Sequence, residues 1–455
     1  MRATIAGAHE VGVAGFVWVG TGVEVVADGV APVGVLVGAL VGGVDVATDE
    51  GVGDVAVADG PAVGGADEQA AATIVTVAAR TVQPTADEGR RLWLVRIVRA
   101  YPGCVAVIFV VLALAGRRRS SRYVSAVTTE PTPVVLDVDT GVDDACALLL
   151  AALHPALDLR AVSCVGGNAS VDDVVRNTLL VLETAGRTDV PVARGAERPL
   201  LEVPVDARHV HGDDGMGDLG WGPAAATVDR RHAVELLRDV CREAAEAERP
   251  VVLVPLAPLT NIALLLRTYP DAAQGISEIV FMGGAADVGN ATASAEFNVF
   301  HDPEAAAIVL DAAADLGIPV TMYGLDVFYE PVVGADVVEQ LVAVGGRGPA
   351  ELGGRLLAFQ NARFDREAST IGDAGAVCAV IDRSGLTTET LPLRVELAGT
   401  WSRGRTIVDR RDWSGDMAHD PHGEAPVRLE VALGVDGPRY ARLWADTLLG
   451  HVGER

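Results

Sequence analysis

Four aspartates lie within eight positions of the segment LDVDTGVDDACALLL, residues 136 to 150. They follow an apolar run typical of a buried strand and precede an apolar helix; they are Asp137, Asp139, Asp143 and Asp144. Carboxylates this close repel one another and raise one another's pKa unless a positive charge lies among them. Because hard oxygen donors favour Ca²⁺ or Mg²⁺ over zinc, the spacing predicts a divalent-cation site.

Helix capping is the alternative explanation for any single aspartate at this place. A carboxylate at Asp143 or Asp144 would cap the following helix and interact favourably with its dipole. Capping accounts for one such residue but not for four at one strand end, because clustered charge without a partner is costly to bury.

The sequence from Pro133 onward alternates between strand and helix patterns. The segments PVVLDVDTG, LDLRAVSCVGGN and VPVARG read as strands, with DDACALLLAAL and VDDVVRNTLLVLETAG as helices between them. The same alternation of strand and helix patterns occurs in VVLVPLAPLTNIALLLRTYP, ISEIVFMGG and IPVTMYGLDV. This predicts an α/β fold with a mainly parallel, Rossmann-like open sheet, helices on both faces, and ligands at the carboxyl ends of the strands. The segment LPLRVELAGTWSRGRTIVDRRD predicts a small antiparallel hairpin at the sheet's margin, near the C-terminus.

The first 130 residues differ in composition from the rest of the chain. Residues 1–79 are rich in Val, Gly and Ala and acidic, whereas residues 80–122 are basic and carry a short apolar run at 104–115. That run is too short to span a membrane as a helix, which takes roughly 20 residues. We interpret residues 1–130 as a low-complexity, disordered or non-native extension, with a membrane-associated anchor or a folded accessory unit as alternatives. Residues 131–455 are predicted to form the catalytic domain.

The overall charge narrows the class of partner. The formal net charge of −26 argues against nucleic acid and against anionic membranes, since both are polyanions that such a surface repels. A small neutral or cationic ligand fits better. The five cysteines are scattered without a C-x-x-C pair, which favours reduced thiols and a cytoplasmic location.

Five segments together resemble the inosine-uridine-preferring nucleoside hydrolases. The opening segment is similar to that family's D-x-D-x-G-x-D-D-A-x-A signature. The others, in chain order, are VSCVGGN (162–168), HVHGDDGMGDLGW (209–221), VPLAPLTNIAL (254–264) and FMGGAADVGNATASAEFNVFHDPEAA (281–306). The resemblance implies hydrolysis of the N-glycosidic bond of ribonucleosides to a free base and ribose.

The resemblance also implies a Ca²⁺ site and a catalytic base. Its ligands would be Asp139, Asp144, the backbone carbonyl of Leu256, and Asp373 from TIGDAGAV. Asp139 would in addition take the proton from the attacking water, whose pKa the cation lowers.

The remaining motif residues would hold the substrate. The resemblance assigns them to the sugar pocket: Asp143, Asn168, His211, Met282, Asn290, Glu296 and Asn298. Their oxygens would stabilise the oxocarbenium-like charge that develops on ribose. Asn290 and Asn298 could instead serve as turn residues, and His211 as a hydrogen-bonding loop residue. Asp302 is expected to cap a helix rather than to contact ligand.

One position departs from the family pattern. Many members have a histidine directly before the last metal-binding aspartate, credited with helping the base to leave, whereas this chain has Gly372. The base could instead leave by stacking on an aromatic ring, for which Phe364, Trp401 and Trp413 are candidates. If the missing acid limits the rate, Gly372→His should raise turnover on nucleosides with poor leaving bases.

Two other classes of protein compete with this interpretation. A phosphatase of the haloacid-dehalogenase type also begins with a strand ending in D-x-D, but Gly141 and the absence of any lysine disfavour it. A catalytically weak nucleoside- or ribosyl-binding homologue is the stronger alternative, because Gly372 lacks a proton donor. The favoured interpretation has a small ribonucleoside as ligand, no nucleic acid, no membrane, and assembly as a homodimer or homotetramer.

Overall fold

The chain divides into two compact units, Met1–Val127 and Thr128–Arg455. The computed structural model describes residues 130–411 and 426–450 in full, and before residue 130 it describes only the backbone of six strands. These strands form one antiparallel sheet in the order β1-β2-β3-β6-β5-β4. Their bounds are β1 Arg2–Val13, β2 Phe16–Val26, β3 Val33–Leu40, β4 Thr76–Thr81, β5 Leu92–Tyr101 and β6 Cys104–Ala113. The rest of this segment, up to residue 129, lies outside the described residues, so our interpretation of residues 1–130 stays a prediction.

A nine-stranded sheet forms the centre of the second unit, in the order β16-β15-β17-β12-β11-β10-β7-β8-β9. The run from β9 to β17 is parallel, while β15 and β16 are antiparallel to their neighbours. A separate antiparallel pair joins β13 to β14. The strands are β7 Thr132–Val138, β8 Leu157–Cys164, β9 Val192–Arg194, β10 Val251–Pro255, β11 Ile276–Met282, β12 Val320–Tyr323, β13 Val332–Gly334, β14 Ala368–Thr370, β15 Leu386–Val395, β16 Thr406–Val408 and β17 Val427–Val435.

Twelve α-helices connect or flank these strands in the described part of the second unit. They are α1 Val142–Leu153, α2 Val171–Thr184, α3 Arg208–His211, α4 Ala233–Glu246, α5 Thr260–Thr268, α6 Phe297–His301, α7 Pro303–Leu316, α8 Leu325–Phe328, α9 Ala335–Val344, α10 Pro349–Phe364, α11 Ala374–Ile381 and α12 Gly437–Leu448. Short 3₁₀ helices cover Pro270–Gly275 and Arg383–Gly385. None of the helices in the described residues is long and apolar enough to cross a membrane.

The inner strand β7 shows why both faces of the sheet are covered. Its side chains alternate between two apolar clusters, since Val134 and Leu136 belong to one and Val135 to the other. This is the period of two that a strand imposes on its side chains. Helices α1, α10, α11 and α12 contribute to the first cluster and α4, α5 and α7 to the second. The predicted α/β fold with helices on both faces is therefore confirmed.

The C-terminal hairpin lies where the sequence predicts it. Strands β15 and β16 pair antiparallel at the margin of the large sheet. The hairpin joins the parallel run of strands through β17, which lies between β15 and β12. Sequence reasoning did not identify β17, which follows residues 412–425, outside the described part of the chain.

A chain that begins at Thr132 is expected to fold and to keep the activity of the full-length protein. The reason is that the second unit contains both apolar clusters and every strand of the large sheet. Thermal unfolding and turnover of the two chains, measured side by side, check this expectation. Insolubility of the shorter chain would show that residues 1–131 belong to the folded domain.

Candidate active site

A cleft of about 450 Å³ opens at the carboxyl ends of the parallel strands. Nine residues that the sequence assigns to the site line it: Asp143, Asn168, His211, Leu256, Met282, Asn290, Glu296, Asn298 and Asp373. The other two, Asp139 and Asp144, are fully buried. Side chains from segments up to 230 positions apart, from Asp143 to Asp373, thus meet in one place.

The turn between β7 and α1 is held by its own aspartates. The carboxylate of Asp144 accepts hydrogen bonds from the backbone N–H of Gly141 at 2.9 Å and of Asp139 at 3.2 Å. It therefore also caps α1, as the alternative interpretation expected for a single aspartate. Capping and participation in an acidic site are compatible here, because each carboxylate oxygen accepts more than one bond.

Asp139 is held in position by Asn168, which follows the neighbouring strand β8. Its carboxylate accepts hydrogen bonds from the backbone N–H of Asn168 at 2.7 Å and from the Asn168 side-chain amide at 3.0 Å. A Cβ at Gly167 would lie 2.0 Å from Asp139 Oδ2, so only glycine allows the β8–α2 loop this close. The same amide of Asn168 reaches Asp144 Oδ2 at 3.2 Å, which joins the two carboxylates to the cleft wall.

Three carboxylates converge at the bottom of the cleft. Asp143, Asp144 and Asp373 each place an oxygen so that the three lie within 4.8 Å of one another. Burial, reinforced by Asp143, raises the pKa of Asp144 to about 7, and burial together with the neighbouring carboxylates raises the pKa of Asp139 and Asp373 well above the usual range. Asp143 Oδ1 is buried and has no hydrogen-bond partner among the described residues. A divalent cation fits this donor set, because it would neutralise the repulsion and occupy the unpaired oxygen.

Asp137, the first aspartate of the opening segment, belongs to a different network. Its Oδ1 accepts hydrogen bonds from Ser163 Oγ at 2.6 Å and from Asn261 Nδ2 at 2.8 Å, and burial raises its pKa to about 7. Asn261 also donates to the carbonyl of Cys164 at 3.0 Å. These bonds tie the carboxyl ends of β7 and β8 to α5. The sequence places Asp137 among the four crowded aspartates but does not assign it as a metal ligand or a substrate contact.

The segment between β11 and α7 supplies the opposite wall. Glu296 accepts hydrogen bonds from the backbone N–H groups of Gly284, Asn298 and Val299 at 2.7–3.0 Å, and burial raises its pKa to about 7. Asn298 Nδ2 donates to the carbonyls of Leu256 at 2.9 Å and Met282 at 3.2 Å. Leu256 lines the cleft, and its carbonyl oxygen has one lone pair in use and one available.

Three residues with competing interpretations can now be placed. Asn290 Oδ1 accepts a bond from the backbone N–H of Phe297 at 2.9 Å and so supports its own loop while it lines the cleft. His211 also lines the cleft, and its Nδ1 accepts a bond from the Val142 N–H at the start of α1 at 3.2 Å. Burial lowers the pKa of His211. Asp302 caps α7 through a 3.0 Å bond from the Ala305 N–H, which confirms the capping prediction.

Position 372 has no room for a side chain. Gly372 has a φ of +53°, which L side chains rarely adopt. A Cβ there would lie 2.6 Å from Asp143 Cβ and 2.9 Å from Phe328 Cζ. The ring of Phe328 thus occupies the space into which a side chain at 372 would project.

Residues with no sequence-predicted role, apart from Phe364, line the outer part of the cleft. Aromatic and polar side chains meet there: Phe328, Tyr329, Gln360, Phe364, Arg366 and Thr370. Of the aromatic residues that the sequence offered for stacking, Phe364 lines the cleft, whereas Trp401 does not and is 90% exposed. Trp413 lies outside the described residues.

Comparisons with known proteins agree with this geometry. The family model for inosine-uridine preferring nucleoside hydrolases matches residues 134–442. Proteins of that description from Leishmania major and Crithidia fasciculata are 39% identical over 285 residues and 36% identical over 334 residues. These alignments cover 62% and 70% of this chain, and 88% and 98% of the relatives.

A solved structure is similar over the same region. The purine-preferring ribonucleoside hydrolase from Gardnerella vaginalis has a TM-score of 0.62 and 28% identity, and the match covers 70% of this chain and 98% of that one. The binding-only alternative, which was based on Gly372, gains no support from these matches. The cleft has carboxylates at its floor, and the family match includes the residues of both its walls. The chain therefore belongs to the inosine-uridine preferring nucleoside hydrolases, enzymes that cleave the N-glycosidic bond of ribonucleosides.

Proposed function

We propose that Asp139 is the general base of this hydrolysis. Its carboxylate is buried beside Asp144 and is oriented by two hydrogen bonds from Asn168. A carboxylate held in this way can accept a proton from a water that attacks C1′ of the ribose. The single observation that carries the proposal is the convergence of acidic side chains from the β7–α1 turn and the start of α11 on one cleft.

The cation of this site is proposed to be Ca²⁺. We assign Asp139, Asp144, Asp373 and the carbonyl of Leu256 as its ligands. Asp143 is a further candidate, because its oxygen lies within 4.8 Å of those of Asp144 and Asp373. When bound, such an ion lowers the pKa of a coordinated water and orients the sugar hydroxyls. Six to eight oxygen ligands in a flexible arrangement are typical of Ca²⁺, whereas Mg²⁺ demands a stricter octahedron.

The ribose is proposed to lie between the acidic floor and the wall that Glu296 and Asn298 form. The proposed sugar contacts all line this cleft: Asp143, Asn168, His211, Met282, Asn290, Glu296 and Asn298. As the glycosidic bond breaks, positive charge develops on the sugar, and carboxylate and amide oxygens that are already in place stabilise it. The relatives' names make inosine and uridine the first nucleosides to test.

We propose a cytoplasmic location from the state of the cysteines and a homo-oligomer from the exposed apolar surface. The four described cysteines are buried free thiols, which suits a reducing cytoplasm.

Large apolar side chains are exposed on the surface, including Leu201 at 70%, Val203 at 78% and Trp401 at 90%. Exposed apolar surface of this kind often marks a subunit interface. We therefore propose a homodimer or homotetramer, which light scattering of the purified protein tests.

Removal of divalent cations is expected to lower the Tm, and Ca²⁺ is expected to restore it. A ligand that binds only the native state stabilises it by about 2.7 kcal/mol at a hundredfold excess over its Kd. The increase should be larger with Ca²⁺ than with the same concentration of Mg²⁺. Differential scanning fluorimetry in chelator and after addition of each ion makes the measurement.

Two variants control this experiment. Asp144→Asn removes a proposed ligand and should abolish most of the calcium-dependent shift. Asp172→Asn changes an exposed aspartate, paired with Arg194 on the surface, and should keep the full shift. Equal Tm values in chelator and in Ca²⁺ for the unaltered protein would contradict the proposed metal site.

A further inference from the structure

The outer cleft contains a positive charge that the mechanism so far leaves without a role. Arg366 lines the cleft, and its guanidinium carbon lies 5.5 Å from the centroid of the Phe364 ring. It is close enough to Tyr329 to lower the pKa of that phenol, although burial of Tyr329 outweighs this effect. Within the described part of the chain no carboxylate lies within ion-pair distance of the guanidinium. Every other charged group that lines the described cleft, apart from histidine, is an Asp or Glu.

The backbone of Arg366 is set by the end of α10. The helix ends at Phe364, and Asp365 takes the left-handed conformation with a φ of +50°. Arg366 N–H then donates to the carbonyl of Asn361 at 3.0 Å, and Ser369 Oγ donates to the carbonyl of Leu357 at 2.9 Å. This turn leads the chain from α10 toward β14. The end of the helix therefore fixes the backbone of Arg366 at the rim of the cleft.

The other groups that could assist departure of the base are constrained. Residue 372 has no side chain, and Phe328 fills the adjacent space. His211 uses Nδ1 to accept the Val142 N–H, and burial lowers its pKa, so it is poorly suited to carry an extra proton. Tyr329 is hydrogen bonded to Asn290, and burial raises its pKa. His209 lines the cleft and is the remaining group that could donate a proton.

We propose that Arg366 stabilises the departing base as an anion, so that bases with a ring oxo group conjugated to the glycosidic nitrogen leave most readily. This rests on the proposed function, in which Asp139 accepts a proton from water. The water oxygen bonds to C1′, and the C1′–N bond breaks with its electron pair passing to the base. The resulting negative charge spreads onto the oxo oxygen, to which the guanidinium donates charge-assisted hydrogen bonds. Asp139 then returns its proton to solvent and solvent protonates the base, so one water is consumed overall.

A guanidinium acts here by charge and not by proton transfer. It stays protonated throughout the physiological range, so it cannot serve as a general acid. Its contribution is electrostatic and should be largest for bases that are poor leaving groups. A substrate whose leaving group is already stable as an anion, such as nitrophenyl riboside, should gain little from it.

The test compares Arg366→Gln with Arg355→Gln in the full-length protein. Arg355 lies on α10, the helix that precedes Arg366, but it is paired with Glu351 and is not part of the cleft, so it is a matched control. We expect Arg366→Gln to lower kcat/KM on uridine by about 10- to 100-fold. This loss is smaller than that found when a buried anion-stabilising donor is removed, because Arg366 lies at the rim of the cleft. On nitrophenyl riboside the loss should be less than about threefold, and Arg366→Lys should recover part of the activity on uridine.

A pH profile separates this role from a merely structural one. Arg366→His replaces a permanent cation by one that loses its proton near pH 6.5, so turnover of uridine should fall as the pH rises through that region, while the unaltered enzyme shows no such loss. Equal losses on uridine and nitrophenyl riboside in Arg366→Gln would overturn the inference, as would an unchanged rate. So would a fall in the unaltered enzyme above pH 6.5 that disappears in His209→Gln, because His209 would then be the acid. If the unaltered enzyme releases no ribose from either substrate, the proposed function itself fails.

Discussion

Asp139→Asn is expected to lower the release of ribose from nucleosides by at least about 100-fold, the scale of general-base loss. The substitution keeps the shape of the side chain but removes its charge and its ability to accept a proton. It also replaces one acceptor oxygen by an NH₂ group that would face the side-chain amide of Asn168. In the unaltered protein that amide donates a hydrogen bond to Asp139 at 3.0 Å. Steady-state turnover of inosine and uridine, with ribose quantified as a reducing sugar, makes the measurement.

The control for this variant must separate chemistry from folding. Asp172→Asn alters an exposed aspartate outside the cleft and should retain the activity of the unaltered enzyme. Circular dichroism should show both variants folded. A folded Asp139→Asn enzyme with undiminished turnover would mean that a different group accepts the proton of the water.

Gly372→His is expected to reduce turnover by at least about tenfold on nucleosides and on nitrophenyl riboside alike. The sequence alone suggested the opposite outcome, because this change restores the histidine–aspartate pair of the family. The structure reverses that expectation, since an added Cβ would lie 2.6 Å from Asp143 Cβ and 2.9 Å from the Phe328 ring. The φ of +53° adds about 1–2 kcal/mol of backbone strain for any residue other than glycine.

Two further variants identify the cause of that loss. Gly186 has a φ of +71° and no atom within 4 Å of an added Cβ, so Gly186→His carries the strain without the collision and should remain active. The double variant Gly372→His with Phe328→Ala removes the collision with the Phe328 ring but not the one with Asp143, so it should recover only part of the loss. A single Gly372→His variant with raised turnover on nucleosides would show that Phe328 moves aside and that a missing acid limits the rate.

The part of the site that the sequence predicts is the part that local patterns determine. An apolar run followed by D-x-D-x-G-x-D-D specifies a strand, a tight turn and a helix start, and the structure has β7, the turn and α1 there. Asn168 could be placed by the same logic, because it follows the next strand, β8. Since carboxyl ends of neighbouring parallel strands lie side by side, topology alone brings these residues together.

The outer cleft could not be predicted for physical reasons. Phe328 is the last residue of α8 and Arg366 follows α10, two helices that carry no motif, and the positions of both residues depend on how these helices pack over the sheet. The left-handed turn at Asp365 and the blocked position at Gly372 depend on backbone angles that residue type only suggests. The convergence of Asp143 with Asp144 and Asp373 is likewise a tertiary property, although the sequence assigned Asp143 to the sugar.

A crystal structure of the full-length protein with bound Ca²⁺ tests the central claim most directly, because that claim is a single cation site shared by the β7–α1 turn and the start of α11. We expect oxygens of Asp139, Asp144, Asp373 and the Leu256 carbonyl to lie within about 2.3–2.6 Å of the ion, at the floor of the cleft. Coordination by Asp143 would add to this set. An ion bound elsewhere, or a site at this floor from which Asp139 and Asp373 are both absent, would contradict the account.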